Sequence, residues 1–355
     1  MTRRIQNIQA LRGAAVLMVV LFHLAGMEGE FGGGERLLPG LVGVGRAGVD
    51  LFFVISGFIM VAVTAGGRRG PKAAGEFLYH RATRIYPVYW LFTAVLIGLQ
   101  VLMPQYGDPA RWSTVSIPRS LLLLPQQGLP VLVVGWTMVH EIYFYLVFAL
   151  FLLAPERLRG ALLAAWLATV VALPALLPGL SPPAKAPVLA LITHPLTAEF
   201  VAGAAIALFA RRGVRVPGRS VIGAGVLLLL TGYAFLAPTS PGREAWPEGW
   251  TRVAVFGLPA ALVLAGAVSL EFSSGGLLPR WLRSVGDASY SIYLVQIFPL
   301  LALGRLWSRV RAPGLADNAA AVALAGTAII VAGFASHRLL ERPSLAFARR
   351  LWRLR

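Results

Sequence analysis

The sequence predicts an all-α integral membrane protein: a bundle of about ten transmembrane helices with both termini on the cytoplasmic side. Three observations predict it. Of 355 residues, 57% are apolar and 13% charged, and the mean hydropathy is +0.72; soluble domains stand nearer ~45–50% and ~25%. Such a chain cannot cover its own surface with polar groups, which excludes a water-soluble globule and, equally, disorder. Apolar runs of spanning length, ~20 residues, recur along the whole chain. Finally, Lys and Arg gather in the short segments between alternate pairs of runs.

The runs lie at about 8–27, 44–64, 83–103, 131–153, 160–180, 187–210, 217–237, 252–270, 287–310 and 315–338. Arg3 and Arg4 precede the first, no small-x-small cleavage site follows it, and Arg12 interrupts its start. It therefore reads as a retained span rather than a cleaved signal peptide. The longest connection is 104–130, and its apolar piece 117–124 suits a re-entrant or interfacial segment. Prolines near 170–187 point to an early end for the fifth span. The other linkers are short and rich in Gly, Pro and Arg, so the expectation is a single transmembrane domain over 1–355 with no separate soluble domain. With the N-terminus cytoplasmic, the inner segments hold roughly twice the Lys and Arg of the outer ones. The first outer loop is acidic (Glu28, Glu30, Glu35), while Arg305, Arg309 and Arg311 run against the rule. This is the pattern of a multi-pass protein of the inner (plasma) membrane.

The net charge of +17 sits between apolar runs, where it meets anionic lipid headgroups rather than nucleic acid. The chain has no cysteine, which excludes disulfides, thiolate nucleophiles and thiolate metal sites. No metal centre is expected.

Charged groups within spans carry the functional signal, because each costs about 2.5–3.5 kcal/mol at mid-bilayer. They are Arg12 and His23 in the first span, Asp50 in the second, His140 and Glu141 in the fourth, and Glu199 in the sixth. Mutual pairing for structure is the plain alternative. Arg12 and His23 are separated by close to three helical turns and share one face. Centring each span on the bilayer puts His23 and Asp50 at one level, ~6–8 Å above the midplane, and Arg12 ~8 Å below it. A carboxylate bonded to one imidazole nitrogen would leave the other free as a base. Glu141 and Glu199 fall near the midplane.

Arg81 and Arg84, spaced i, i+3, stand at the expected cytoplasmic start of the third span with Arg68, Arg69 and Lys72 upstream. Ordinary positive-inside charge explains such a cluster, but guanidinium forks also suit phosphate. A phosphate clamp below and a His/Asp pair above fit a long donor with a phosphorylated head, as coenzyme A esters are. Other residues read more blandly. His80 and His337 suit solvated helix ends, and His194, before Pro195, is given no role. His140 and Glu141 point ~100° apart, and Glu141 is the one taken to face the site. Ser56 has no base placed beside it.

At these residues the sequence resembles the acyltransferase 3 family of membrane acyltransferases, closest to the branch of exopolysaccharide-production acetyltransferases. NIQALRGAAVLMVVLFH (Asn7 to His23) is similar to its first helix, with an Arg-x10-His motif on Arg12 and His23. GVDLFFVISGFIM (Gly48 to Met60) is similar to its second. FLYHRATRIYPVYW (Phe77 to Trp90), with Arg81 and Arg84, is similar to its third, and VGWTMVHEIYFYLVFAL (Val134 to Leu150), with Glu141, to its fourth. GDASYSIYLVQ (Gly286 to Gln296) and LERPS (Leu340 to Ser344) resemble its C-terminal signatures. The order holds along nearly the whole chain.

The resemblance implies a ten-helix core with cytoplasmic termini. It implies transfer of an acyl group, acetyl by family habit, from acyl-CoA (acetyl-CoA) to a hydroxyl of a carbohydrate or lipid-linked glycan acceptor. Roles follow for Arg12, His23, Arg81, Arg84 and Glu141. The expected scheme has His23, oriented by Asp50, as general base; Glu141 orients the acceptor or shares its proton; Arg81 and Arg84, helped by Arg12, take the phosphates of the donor. One departure stands out: many relatives carry a His where this chain has Gln296, so an acid–base role there does not carry over. The extracytoplasmic esterase-like domain of some relatives is not expected. A transporter or flippase for a lipid-linked sugar or similar solute fits the same intramembrane charges and Pro/Gly-broken helices, although no matching halves are visible.

Overall fold

A computed structural model describes residues 6–33, 35–38, 40–176, 186–236, 247–273, 278–312 and 314–353. Among the described residues the structure is helical, with no strand. Among these residues nine helices are long and apolar enough to cross a membrane, and one shorter apolar helix joins them. In chain order they are α1 (Gln6–Phe31), α2 (Val42–Val63), α3 (Pro71–Leu102), α4 (Gly135–Phe151, the shorter one), α5 (Glu156–Leu176), α6 (Pro187–Arg211), α7 (Gly218–Leu236), α8 (Gly249–Ser273), α9 (Ser289–Val310) and α10 (Leu315–Trp352). Each expected span has its helix, and the chain is an all-α, multi-pass integral membrane protein. Arg3, Arg4, Lys185, Arg243 and Arg355 of the charge pattern, and the expected end of the fifth span at 177–180, lie outside the described residues. The residues group into two compact units, Met1–Ala62 with Ala202–His337, and Val63–Val201 with Arg338–Arg355.

The first unit is built on α1. A Cβ at Gly13 would stand 2.1 Å from the Leu282 carbonyl oxygen, and one at Gly286 would stand 1.8 Å from that of Gln9. α1 and the short helix Arg280–Asp287 therefore meet backbone to backbone, an approach that only glycine permits. On another face, Gly45 and Gly48 sit against the Met18 and Ala15 carbonyls, and these contacts set the antiparallel register of α1 and α2. The Glu271 carboxylate accepts from the N–H groups of Gln6 (2.7 Å) and Asn7 (2.8 Å), an anion at the helix N-terminus where the dipole favours it. Near its other end, Glu28 is 2% exposed. It accepts from the Leu37 and Leu38 N–H groups and from Asn318 Nδ2. Glu28 is thus not an outer-loop charge: α1 runs on to Phe31, and this carboxylate pins the segment that follows.

Two helices of this unit are irregular where polar side chains matter. α9 is interrupted at Gln296, because Pro299 has no N–H for the Val295 carbonyl. α8 carries a π-type turn at Val253–Gly257, directly after Arg252, and Pro259 cannot donate to the Val255 carbonyl there.

In the second unit, α3 begins at Pro71, after Gly70 at φ 98°, a left-handed conformation suited to glycine. The Gly70 N–H is held by the Leu152 carbonyl at 2.9 Å. This start precedes the expected one at 83, so Arg81 and Arg84 lie inside the helix rather than at its entry. The physical reason is that Glu76–Arg84 is too polar to register as apolar yet contains no helix breaker. α3 and α4 run antiparallel, with Phe77 on Phe148 (ring centroids 5.6 Å), Arg81 over Tyr145 (5.8 Å) and the Tyr89 ring against Gly135. Aromatic donors of α3 clasp the apolar piece near 120. Tyr89 Oη donates to the Ser120 carbonyl (2.7 Å), Trp90 Nε1 to Leu121 (2.8 Å) and Tyr86 Oη to Leu122 (3.0 Å). α6 is broken at Thr193–Pro195, where Pro195 interrupts the hydrogen-bond ladder.

Candidate functional site

His23 is half-buried on α1, and its Nδ1 lies 3.1 Å from Gln296 Oε1. Gln296 is 1% exposed, and its Nε2 donates to the Tyr293 carbonyl at 2.9 Å. That bond fixes the amide: the oxygen faces the ring and can only accept, so Nδ1 carries the imidazole proton. The Val19 carbonyl, one turn back on α1, is a second acceptor for the ring. The remaining nitrogen, Nε2, is then the basic one. Sequence reasoning treated Gln296 as the loss of a family histidine; the structure makes it the partner of His23. The readable signal was Pro299, which loosens the turn that presents it.

The expected His23–Asp50 pair is not formed. Asp50 is fully buried and accepts two bonds from Arg252, Nε to Oδ1 at 2.8 Å and Nη2 to Oδ2 at 2.9 Å. A carboxylate out of water needs a cation and filled lone pairs, and the guanidinium fork supplies both. Centring each span on its own midpoint brings Asp50 to the level of His23, but helix contacts and not midpoints decide the register. The Gly45–Met18 and Gly48–Ala15 contacts instead set the Asp50 backbone beside the Gly13 turn, roughly 15 Å along α1 from His23. Arg252, the first residue of the run expected at 252–270, is 6% exposed.

Arg12 is buried as well. Its Nη1 donates to Gln9 Oε1 (3.0 Å) and its Nη2 to Ser289 Oγ (2.9 Å), while Gln9 Nε2 reaches Asp287 (3.1 Å). These bonds tie α1 to the start of α9. Arg12 and His23 share the face of α1 as the spacing predicts, and both meet residues of the 286–296 segment.

The second unit gathers Arg81, Arg84, Glu141 and Tyr145 within electrostatic reach of one another. Tyr145 Oη donates to Glu141 Oε1, a pairing one turn apart on α4. The Arg81 guanidinium lies over the Phe77 ring (5.5 Å) and the Tyr145 ring (5.8 Å). Its Nε is buried with no hydrogen-bond acceptor among the described residues. A buried guanidinium donor without an acceptor, held between aromatic faces, is chemically matched to an incoming anion. The structure thus joins Arg81, Arg84 and Glu141 in one cluster, and adds Tyr145, which sequence reasoning missed although it sits at i+4 from Glu141. Glu199 is buried in the same unit. His140, set aside in favour of Glu141, is buried too, with its ring 4.6 Å from that of His194.

The acyltransferase domain of the acyltransferase 3 family matches residues 5–337. The exopolysaccharide production protein ExoZ of Rhizobium meliloti (strain 1021) is 35% identical over 316 residues, spanning 85% of this chain and 90% of that protein. No solved structure matches the chain. The matched region holds Arg12, His23, Asp50, Arg81, Arg84, Glu141 and Gln296, and the enzymatic reading stands over the transporter. The chain belongs to the acyltransferase 3 family and is a membrane acyltransferase.

Proposed function

We propose that the chain is an O-acyltransferase of the inner membrane with cytoplasmic termini, moving an acyl group, acetyl as the expected case, from acyl-CoA to a hydroxyl of exopolysaccharide or its lipid-linked precursor. The observation that carries this reading is the His23–Gln296 pair: an imidazole with Nδ1–H committed to an amide oxygen keeps Nε2 as a general base. The similarity to ExoZ supports exopolysaccharide as the acceptor class.

In this scheme the phosphates of the donor meet Arg81 and Arg84, and the thioester is presented to His23. Nε2 takes the proton of the acceptor hydroxyl as its oxygen attacks the thioester carbonyl. The tetrahedral intermediate collapses, the C–S bond breaks, and the imidazolium returns the proton to the leaving thiolate. Gln296 acts through His23 by holding its tautomer. Glu141, bonded to Tyr145, balances the arginines and orients them for the donor. Arg12 fixes the helix segment that carries Gln296, and Asp50 serves by holding Arg252.

The test is transfer of labelled acetyl from acetyl-CoA to purified exopolysaccharide or its lipid-linked precursor by the full chain in nanodiscs. Acetylated glycan is the expected product. Absence of both transfer and acetyl-CoA turnover would overturn the reading.

A further inference from the structure

The second unit holds a cleft that the scheme above does not use. It encloses roughly 160 Å³ and lies among the 124–130 segment, the first turns of α4 and the broken part of α6. Its polar lining is Gln126, Trp136, His140 and His194, and among the described residues no Lys, Arg, Asp or Glu lines it. In a chain of net charge +17, a neutral lining selects against phosphates and other ions. The volume is below the ~300 Å³ at which pockets for drug-sized ligands begin, which suits one small ring.

The polar groups are held in place. His194 stands in the break of α6, where its Nδ1 accepts the Leu196 N–H at 3.2 Å, capping the second half of that helix much as an Asx side chain does. The ring proton of neutral His194 is therefore on Nε2, a donor. The His140 ring meets it edge to face at 4.6 Å, and Trp136, one turn back on α4, packs against His140 at 5.9 Å. The wall is thus an indole, two imidazoles and aliphatic surface. Non-helical backbone at membrane depth is tolerated where it is buried or lines a wet cavity. The backbone at the break is bonded internally, the Thr193 N–H to the Leu189 carbonyl (3.0 Å) and the His194 and Pro195 carbonyls to the Thr197 (3.0 Å) and Ala198 (2.8 Å) N–H groups, so the polar surface the cleft offers is that of its side chains. Two imidazoles also fall short of a structural zinc set, and no group of three metal-ligating side chains occurs among the described residues.

We infer that this cleft binds one neutral pyranose ring of a saccharide, whose C–H face lies on Trp136 and whose hydroxyls bond to His140 and His194. The inference deepens the proposed function, resting on its carbohydrate acceptor, and makes this cleft an acceptor subsite. On α4 it lies toward the N-terminal end, while the arginine cluster faces Tyr145 farther along.

The experiment is saturation-transfer NMR on the full chain in nanodiscs, with methyl glucoside and methyl galactoside as probes and glucose 6-phosphate as the charged control. The expected result is saturation of ring protons in at least one neutral glycoside, with the phosphate ester weaker. His140→Phe keeps a ring of similar shape, and His194→Asn keeps an acceptor for the Leu196 N–H. Each should weaken binding about tenfold, the loss of one neutral hydrogen bond, with an unchanged thermal midpoint as the folding control. Absence of signal from both glycosides, or wild-type affinity in both variants, overturns the assignment. Acetyl-CoA turnover measured on the same samples separates the two claims: sugar binding without turnover keeps the cleft and removes the transferase scheme, and turnover without sugar binding does the reverse.

Discussion

Two of the polar centres in the first unit are satisfied in opposite ways. Asp50 and Arg252 close on each other with two charged hydrogen bonds, and nothing in that geometry asks for a substrate. His23 and Gln296 form a neutral pair in which one ring nitrogen is committed and the other keeps its lone pair. In a low-dielectric bundle a charge has to be matched locally, whereas a neutral base can stay half-satisfied at modest cost. On the proposed scheme the contrast separates a pair that serves stability from one that serves the reaction. His23→Ala is the sharpest way to break it. Transfer should fall by about 10²–10⁴, the worth of a positioned general base, with the size-exclusion profile and thermal midpoint unchanged. Full transfer by a folded His23→Ala protein would remove the distinction.

The charged centre should respond in the other currency, stability. Asp50→Leu or Arg252→Met, each stranding a buried charge, should lower unfolding stability by about 3–5 kcal/mol, read as a fall in thermal midpoint in detergent. The double variant should be less destabilised than either single one. A stable Asp50→Leu protein that has lost transfer would instead assign the carboxylate to the reaction. Gln296→Leu should act between these extremes. It removes the side-chain acceptor of His23 and leaves the ring only the Val19 carbonyl, so kcat should drop roughly 10–100-fold with little change in the acyl-CoA KM. Gln296→His supplies another acceptor and should restore most of the rate; equal loss in both variants would reduce Gln296 to packing.

The ten helices were legible because a spanning helix must be long and apolar, a property of composition that neighbours do not alter. Arg12 and His23 on one face were legible for a related reason, since helical spacing alone decides it. What the sequence concealed was register between helices. Asp50 was matched with His23 because both spans were centred on the bilayer, while the glycine contacts at Gly45 and Gly48 slide α2 along α1. The partner of Asp50 was concealed for the same reason, as Arg252, at the first position of the eighth run, is 202 residues away in sequence. The start of α3 was misplaced because hydropathy measures affinity for lipid, and Glu76–Arg84 is helical without being apolar. Tyr145 and the His140–His194 contact belong to a third kind: one was visible at i+4 from Glu141, and the other required the broken α6 to be folded first.

The smallest expected effect sharpens the comparison across two arginines. Arg12 has its terminal nitrogens bonded to Gln9 and Ser289, whereas Arg81 keeps a buried Nε without an acceptor. If the second is the donor site, Arg81→Ala should raise the acyl-CoA KM about tenfold, toward the low end of a charge-assisted hydrogen bond, and leave kcat nearly unchanged, the signature of lost ground-state binding. Arg12→Ala should instead loosen the α1 contact with Ser289 and lower the thermal midpoint, with the acyl-CoA KM moving little. Initial rates over a range of acetyl-CoA concentrations decide it. A KM that follows Arg12 rather than Arg81 would transfer the phosphate role to the first helix, because an arginine whose donors are already bonded gains less from an incoming anion than one whose donor is waiting for it.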